Sequence, residues 1–374
     1  MKKEQRHPKR LRSGFTTGAC AAAASKAGLL KILCPDMGIK EVSIPFPDGS
    51  RHEFALFSLE RNAHSVVASV IKDAGDDPDV TNGAEIGVEI RLRSGKDEVE
   101  PGQEAPPISF RAGPGVGTVT RKGLAVPKGE PAINPGPRRM IASAIEEAFR
   151  EAGFSPPRSQ IVDITIFIKD GEKLAHNTLN PRLGIKGGLS VLGTTGIVRP
   201  ISAKAWTDTI DVCLNVAEKA GLREVILSTG RTSEAAVQGL LGLPDEALVM
   251  MGDYLEYALK AAGRHRFKRL HLAGMWAKII KAALEIPQTH VRHGALDMDR
   301  TSRLLIELGM PQGLRDCVKS ANTARHVLDL LLEEERLALI RAVCQRARQY
   351  AERLSGIPVT VYLVSSEKKI ITQA

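Results

Sequence analysis

From about residue 200 onward one pattern repeats three times: a short apolar run, a small or polar residue, then a helical pattern. Residues 225–227 lead into Ser228-Thr229-Gly230-Arg231-Thr232, 247–251 into Gly252-Asp253-Tyr254, and 270–273 into Gly274-Met275-Trp276. Short strands that alternate with helices cannot close as hairpins. They require crossovers, and so a mostly parallel sheet with helices on both faces. In such sheets ligands bind beyond the carboxyl ends of the strands. The three loops that follow the runs therefore mark a candidate site. Long helical patterns follow, notably over 324–353, and a last strand is predicted over 359–364 after Gly356 and Pro358.

Before residue 200 the pattern differs. Strand-like runs, such as 54–59 and 87–92, stand between loops rich in Asp, Gly and Pro at 73–82 and 94–107. One amphipathic helix is predicted over 138–152, with Met140, Ile141, Ala144, Ile145, Ala148 and Phe149 on one stripe. Pro137 suits its first turn and Gly153 the position past its end. The chain has 374 residues, which at ~150 residues per domain suggests about two domains. The expected division is an N-terminal α+β domain over 1–198, with glycine-rich loops, and a C-terminal three-layer α/β sheet domain over 199–374.

Lys plus Arg number 52 and Asp plus Glu 43, a formal net charge of +9. That surplus favours anionic partners. Nine Phe, four Tyr and two Trp give few rings on which bases could stack, and no basic run is interleaved with them. A small anionic ligand is expected, and no nucleic acid. No uncharged stretch exceeds 13 residues, short of the ~20 of a membrane helix, so no membrane partner is expected. The basic residues 1–12 and alanines 21–24 lack the leucine-rich core of a signal peptide and read as a polar tail before a helix. Five scattered cysteines without metal-ligand spacing read as free thiols in a reducing cytoplasm.

Four segments can carry chemistry. Ser13-Gly-Phe-Thr-Thr-Gly-Ala-Cys20 opens a helix over 21–30, where Thr16 or Thr17 can cap it and free N–H groups can attract a carboxylate or phosphate. Cys20 reads as a small packing residue, with no base nearby to make it a nucleophile. Gly113-Pro-Gly-Val-Gly-Thr118 permits a tight turn or a close backbone approach. The densest run is Asn180-Pro-Arg-Leu-Gly-Ile-Lys-Gly-Gly-Leu-Ser-Val-Leu-Gly-Thr-Thr-Gly196. It imitates a phosphate loop, but Thr194 stands where the loop lysine belongs. What remains suits a ribose, an amino-acid carboxylate, a sulfonium-bearing cofactor, or a tight structural turn. Arg182, Lys186 and Arg199 bracket it with positive charge. Last come Lys278 and Lys281 on one helical face, then Thr289-His290, His293, Asp297 and Asp299. Pro287 and Gly294 argue for a loop there, and no third metal ligand accompanies the histidines. His290 can serve as an acid or base.

Together, in this order, these segments resemble the cobalt-precorrin-5B C(1)-methyltransferase family of anaerobic cobalamin (vitamin B12) biosynthesis. The resemblance runs from about Arg12 to the C-terminus. It is carried by Gly14-Phe-Thr-Thr-Gly-Ala-Cys-Ala-Ala-Ala-Ala24, Gly113–Thr118, Pro131-Ala-Ile-Asn-Pro135 with Arg138 and Met140, and above all 180–200. Two places depart from the family pattern. Met275-Trp276-Ala277-Lys278 stands where His-x-Gly-Lys is usual, and Asp253 where Asn is usual.

The resemblance implies that S-adenosylmethionine donates a methyl to ring carbon C(1) of a corrinoid, a porphyrin-related tetrapyrrole, giving cobalt-precorrin-6A. Cobalt enters only as part of the substrate, and no metal site of the protein is implied. Gly187, Gly188, Ser190, Gly193, Thr194 and Thr195 are then expected to line the methyl-donor pocket. Thr16, Thr17, Arg138, Arg182, Arg231 and Lys278 are expected to hold substrate carboxylates, with Asp253 or His290 tuning or removing a proton. Methylation of a related corrinoid stays open as an alternative, and phosphoryl transfer as a lesser one. The sequence leaves room for a homo-oligomer and for transient contacts with neighbouring pathway enzymes.

Overall fold

The computed structural model describes residues 11–95, 106–155, 157, 159–289 and 296–374. The chain forms a mixed α/β structure with several sheets, in two compact units, Met1–Ser202 and Ala203–Ala374.

The first unit begins with helix α1 (Thr17–Leu33) and a hairpin of β1 (Glu41–Pro45) and β2 (Arg51–Ala55). It continues through β3 (Ser58–Arg61), β4 (Val66–Ile71), β5 (Glu85–Ser94), β6 (Ile108–Ala112), helix α2 (Pro135–Glu151) and β7 (Gln160–Ile168). A five-stranded sheet runs β3-β4-β5-β7-β6. Its pairs are antiparallel except β7 with β6. Alanine is the best helix former, and the run Ala21 to Ala24 with Ala19 and Ala27 has no exposed surface. Such small side chains let α1 lie close against both α2 and the sheet strands β4 and β5. Of the two lysines on α1, Lys31 lies half-buried in the last turn and Lys26 is buried. Lys26 donates to Glu147 at 2.8 Å and Glu151 at 2.6 Å on α2, and to the Ser43 carbonyl of β1 at 2.8 Å. Arg51 of β2 completes the cluster on Glu147 at 2.6 Å.

Two sequence expectations shift here. The run 54–59 is not one strand: Phe54 pairs with Val42 in the hairpin, whereas Ser58 pairs with Ser69 in the sheet. The break lies where the chain passes from one to the other. Helix α2 starts three residues before the predicted 138, because the fixed φ of Pro135 and Pro137 suits a first turn. Its apolar stripe is buried as expected. Residues 96–105 of the predicted loop lie outside the described residues.

The second unit opens with α3 (Ala203–Lys219), β8 (Glu224–Ser228), α4 (Arg231–Leu241), β9 (Leu248–Met250), α5 (Leu255–Ala262), β10 (Arg269–Gly274) and α6 (Trp276–Ala283). It ends with α7 (Met298–Glu307), α8 (Arg315–Ser320), α9 (Ala324–Glu333), α10 (Leu337–Ser355), β11 (Val359–Val364) and β12 (Ile370–Gln373). The sheet order is β9-β8-β10-β11-β12, parallel over the first four strands and antiparallel at β12. Val225, Ile226 and Leu227 point to alternate faces and all are fully buried, so both faces of the sheet are covered. The helical pattern over 324–353 is two helices, interrupted where Glu335 takes a left-handed φ of 54°. Among the described residues no helix is long and apolar enough to cross a membrane.

The chain leaves β8 for β9 on one side and then crosses to β10 on the other. The strand order therefore reverses between β8 and β10, and the carboxyl ends at such a reversal are where sheets of this kind take ligands.

Because α1 has no free face from Thr17 to Leu30, a longer side chain there has nowhere to go. Ala22→Leu should lower stability by about 1–3 kcal/mol, read as a fall in the urea midpoint with an unchanged denaturant slope.

Candidate functional site

The carboxyl edge of the second sheet gathers the three loops picked out in the sequence. After β8, the Ser228 hydroxyl donates to the Glu234 carboxylate of α4 at 3.1 Å, and both residues are buried. This turns the chain at Thr229 and Gly230 and leaves Arg231 exposed at the start of α4. After β9, Gly252 adopts φ +55°, and a Cβ there would stand 2.7 Å from Cζ2 of Trp206. The indole N–H of Trp206 donates to the Met251 carbonyl at 3.0 Å, and its ring stacks on Tyr254 with centroids 6.4 Å apart. Trp206 nonetheless keeps 43% of its surface exposed.

Asp253 follows directly. Its Oδ1 accepts from Lys278 of α6 at 2.6 Å, so an expected proton handler and an expected substrate cation form one ion pair. Lys278 and Lys281, one turn apart, each donate to the Thr289 carbonyl at 3.1 Å. The Thr289 N–H returns to the Asp253 carbonyl at 3.0 Å. Burial and the neighbouring Lys278 charge hold the Lys281 ammonium below its ordinary pKa, against the opposing pull of Asp253. The Thr289 hydroxyl is buried without a partner among the described residues. His290 and His293 lie outside the described residues.

The glycine-rich run of the first unit meets the start of α1. Thr16 caps that helix through Ala19 N–H at 3.2 Å. The Thr17 hydroxyl accepts from Leu192 N–H at 3.0 Å and lies 3.2 Å from its carbonyl. Gly18 N–H also donates to Leu192, and Thr16 N–H to Gly196. The N–H groups of Gly18 and Ala19 at the helix start are thus met by the chain itself. Gly193 has φ +119°, and a Cβ there would meet the Thr16 side chain at 2.4 Å. At Gly188 it would meet the Gly115 carbonyl at 2.2 Å, which joins this run to the Gly113–Thr118 segment. At Gly187 it would meet nothing within 4 Å. Ser190 is buried and donates to the Asn180 side chain at 3.1 Å. Thr194 and Thr195 are exposed, Thr195 bonded to its own turn at Ile197.

Among the remaining cations, Arg138 donates to Glu130 at 2.8 Å and to the Ile133 carbonyl at 2.9 Å, and lies 5.3 Å from the Phe110 ring centroid. Arg182 is half-buried and its carbonyl accepts from Arg121. Burial pushes the Cys20 thiol up to about 12, and likewise Cys344, so neither supplies a thiolate at neutral pH. Sequence reasoning passed over Glu234 and Trp206. Glu234 carries a weak signal, a carboxylate in the first turn of a helix that follows a strand. Trp206 carries none, because only the fold brings α3 beside the end of β9.

A model of the CbiD family matches residues 4–200, and a model of the CbiD C-terminal domain matches residues 288–374. A cobalt-precorrin-5B C(1)-methyltransferase of Desulfotalea psychrophila is 50% identical over 99% of this chain and 99% of its own. One from Geobacter sulfurreducens is 45% identical over 96% of this chain and 98% of its own. Among solved structures, a cobalamin biosynthesis protein (cbiD) from Archaeoglobus fulgidus shares 25% identity, covering 79% of this chain and 84% of that one, with a TM-score of 0.38.

Two predictions follow from this geometry. Gly193→Ala forces Cβ into Thr16 at a left-handed φ and should destabilise by about 1–3 kcal/mol, read as a lower thermal midpoint. Lys281 has a folded-state pKa below its unfolded value, so the unfolded chain binds the extra proton between the two. Stability from this group therefore rises as pH climbs through that window towards about 10.4, the ordinary lysine value. Urea midpoints between neutral and alkaline pH should show the rise in the wild type and lose it in Lys281→Met.

Proposed function

The chain belongs to the CbiD family, and we propose that it methylates C(1) of cobalt-precorrin-5B to give cobalt-precorrin-6A in the anaerobic route of cobalamin biosynthesis, with S-adenosylmethionine as donor. The observation that carries this reading is the 50% identity to a methyltransferase of that name, end to end on both chains. The donor supplies an electrophilic methyl on a sulfonium, and a ring carbon of the substrate takes it. The protein then needs no nucleophile of its own, in keeping with two buried cysteines whose thiols are pushed up to about 12. Its contribution is positioning and charge placement.

The corrinoid is a polycarboxylate, and in each unit taken by itself we assign cations to carboxylate binding. Arg231 is exposed at the first residue of α4 and suits a bidentate grip. Lys278 is held at a fixed place by Asp253. Arg138, fixed by Glu130 and Ile133, and Arg182 are assigned the same work in the first unit. The open part of the glycine loop, Gly187, Thr194 and Thr195 with the half-exposed Leu192, is assigned to the apolar and polar edges of the macrocycle. At Gly188 and Gly193, where a methyl-donor pocket was expected, the space beside the glycine is taken by Gly115 and Thr16. At the carboxyl edge of the second sheet, Gly230 has nothing within 4 Å of where a Cβ would stand. The residues there suit a nucleoside better.

We further propose that the two compact units are two domains, the second a three-layer α/β domain. No disulfide joins the five cysteines, which suits the reducing cytoplasm. A homo-oligomer, and transient contacts that hand a labile corrinoid to neighbouring enzymes, complete the proposal.

The reaction is tested by incubating the protein with S-adenosylmethionine and cobalt-precorrin-5B and following methyl incorporation by mass spectrometry. A gain of one methyl that depends on both components is expected; donor binding without transfer would point to another corrinoid. Arg231→Ala should raise KM about 10-fold with kcat little changed, as loss of one charge-assisted contact made equally in ground and transition states predicts.

A further inference from the structure

Nothing in the sequence motifs assigns a role to the most exposed large aromatic of the second unit. Trp206 retains 43% of its surface in water although its edge is fixed by the Met251 carbonyl and its ring is stacked on Tyr254. Gly252 is what allows this, since a Cβ there would strike the ring at 2.7 Å. A ring held rigidly with one side left open is a platform, and it stands at the end of β9.

The strand that precedes it gives this platform its meaning. The order β9-β8-β10 makes β8 the first strand of a doubly wound sheet and β9 the second. In sheets of this kind a nucleoside lies at the point where strand order reverses. An open glycine after the first strand admits the ligand, and a carboxylate about 20 residues on, past the second strand, accepts from a ribose hydroxyl. Here Gly230 follows β8 and is open, and Asp253 follows β9. Among the described residues only one oxygen of Asp253 has a bond, to Lys278. The other remains for a hydroxyl.

Resting on the methyltransferase reading, we propose that the adenosyl group of the methyl donor binds at this carboxyl edge, with its base on the indole of Trp206, its ribose on Asp253 and the Thr229–Gly230 turn against it. Lys278 then acts as a positioning residue that orients Asp253. The tight glycines of the first unit's loop serve the chain's own contacts.

The test uses the full chain and S-adenosylhomocysteine, the unreactive analogue, with calorimetry and tryptophan fluorescence as readouts. The chain has two tryptophans, and Trp276 is 3% exposed, so a ligand seated on Trp206 alters that residue's emission. Trp206→Ala should weaken binding about 10- to 100-fold, the range for loss of one base-stacking ring. Trp206→Phe should keep most of the affinity and lose the fluorescence response. Asp253→Asn should weaken binding about 10-fold, as loss of a charge-assisted hydrogen bond does, and the Thr194→Val, Thr195→Val double variant should bind as wild type. Thermal melts confirm that each variant is folded. The inference is overturned if Trp206→Ala and Asp253→Asn bind as tightly as wild type, or if the double threonine variant alone loses binding. A folded wild type that neither binds the analogue nor transfers methyl, with or without the corrinoid, overturns the methyltransferase reading itself.

Discussion

The first unit depends on a helix with no outside. Because α1 is enclosed by α2, the β1–β2 hairpin and the sheet, it can carry almost nothing larger than alanine at its centre. A lysine in such a place is costly unless its charge is matched. Lys26 is matched twice over, by Glu147 and Glu151, and Arg51 ties the hairpin to the same carboxylate. Removing one member would strand a buried charge, so the cluster fixes the register of α1 against α2. That register in turn fixes where α1 begins. With no solvent at its start, the orphan N–H groups must be met by protein. That of Ala19 is met by the Thr16 side chain and that of Gly18 by the carbonyl of Leu192. The shape of the glycine-rich run follows from this: it is the segment that completes a buried helix end.

The second unit is governed by strand direction. Parallel strands send all their carboxyl ends to one edge, and the reversal of order at β8 separates two of the loops there. Charge is spent sparingly at this edge. A net +9 suggests a broad attraction for anions, but most cations near the sites are already engaged. Lys278 is bound to Asp253, and in the first unit Arg138 to Glu130. What the surplus offers at the sites is a few cations held in fixed positions, and Arg231, which is exposed. Positions of that kind discriminate between carboxylates by geometry rather than by total charge.

Much of this was legible in the sequence. Alternation after residue 200 gave the parallel strands, because period and length survive any context. The stripe of α2 did the same for its buried face. Boundaries were harder to read, since they depend on partners far along the chain. The run 54–59 looks continuous until Phe54 and Ser58 are seen to pair in different sheets. The helices at 324–353 look like one until Glu335 turns. Motifs marked the regions where chemistry is to be sought, but not which atoms face a ligand. Asp253 and Lys278 were each picked out singly. Their pairing could not be, because it joins a loop after β9 to a helix after β10. Trp206 was invisible for the same reason.

Glycine shows most plainly why motif density and ligand binding are separate questions. A glycine removes a side chain, and the space it vacates can be taken by a ligand or by the chain itself. Both uses leave the same letter in the sequence. At Gly188 and Gly193 the vacated space holds Gly115 and Thr16 at distances no Cβ would tolerate, so the glycines there are conditions for folding. At Gly230, in one of the three strand-end loops, the space is open, as it is at Gly187 within the dense run. Close packing explains the difference. A loop that must cover a fully buried helix end is drawn inward along its length, and glycine is what lets it come close. A loop at the edge of a parallel sheet has its backbone bonds satisfied by the strands behind it, and can leave its outer side free. Where a chain is rich in glycine because it folds tightly, its binding surface is to be sought where glycine is sparse and the neighbouring rings and carboxylates are held without being covered.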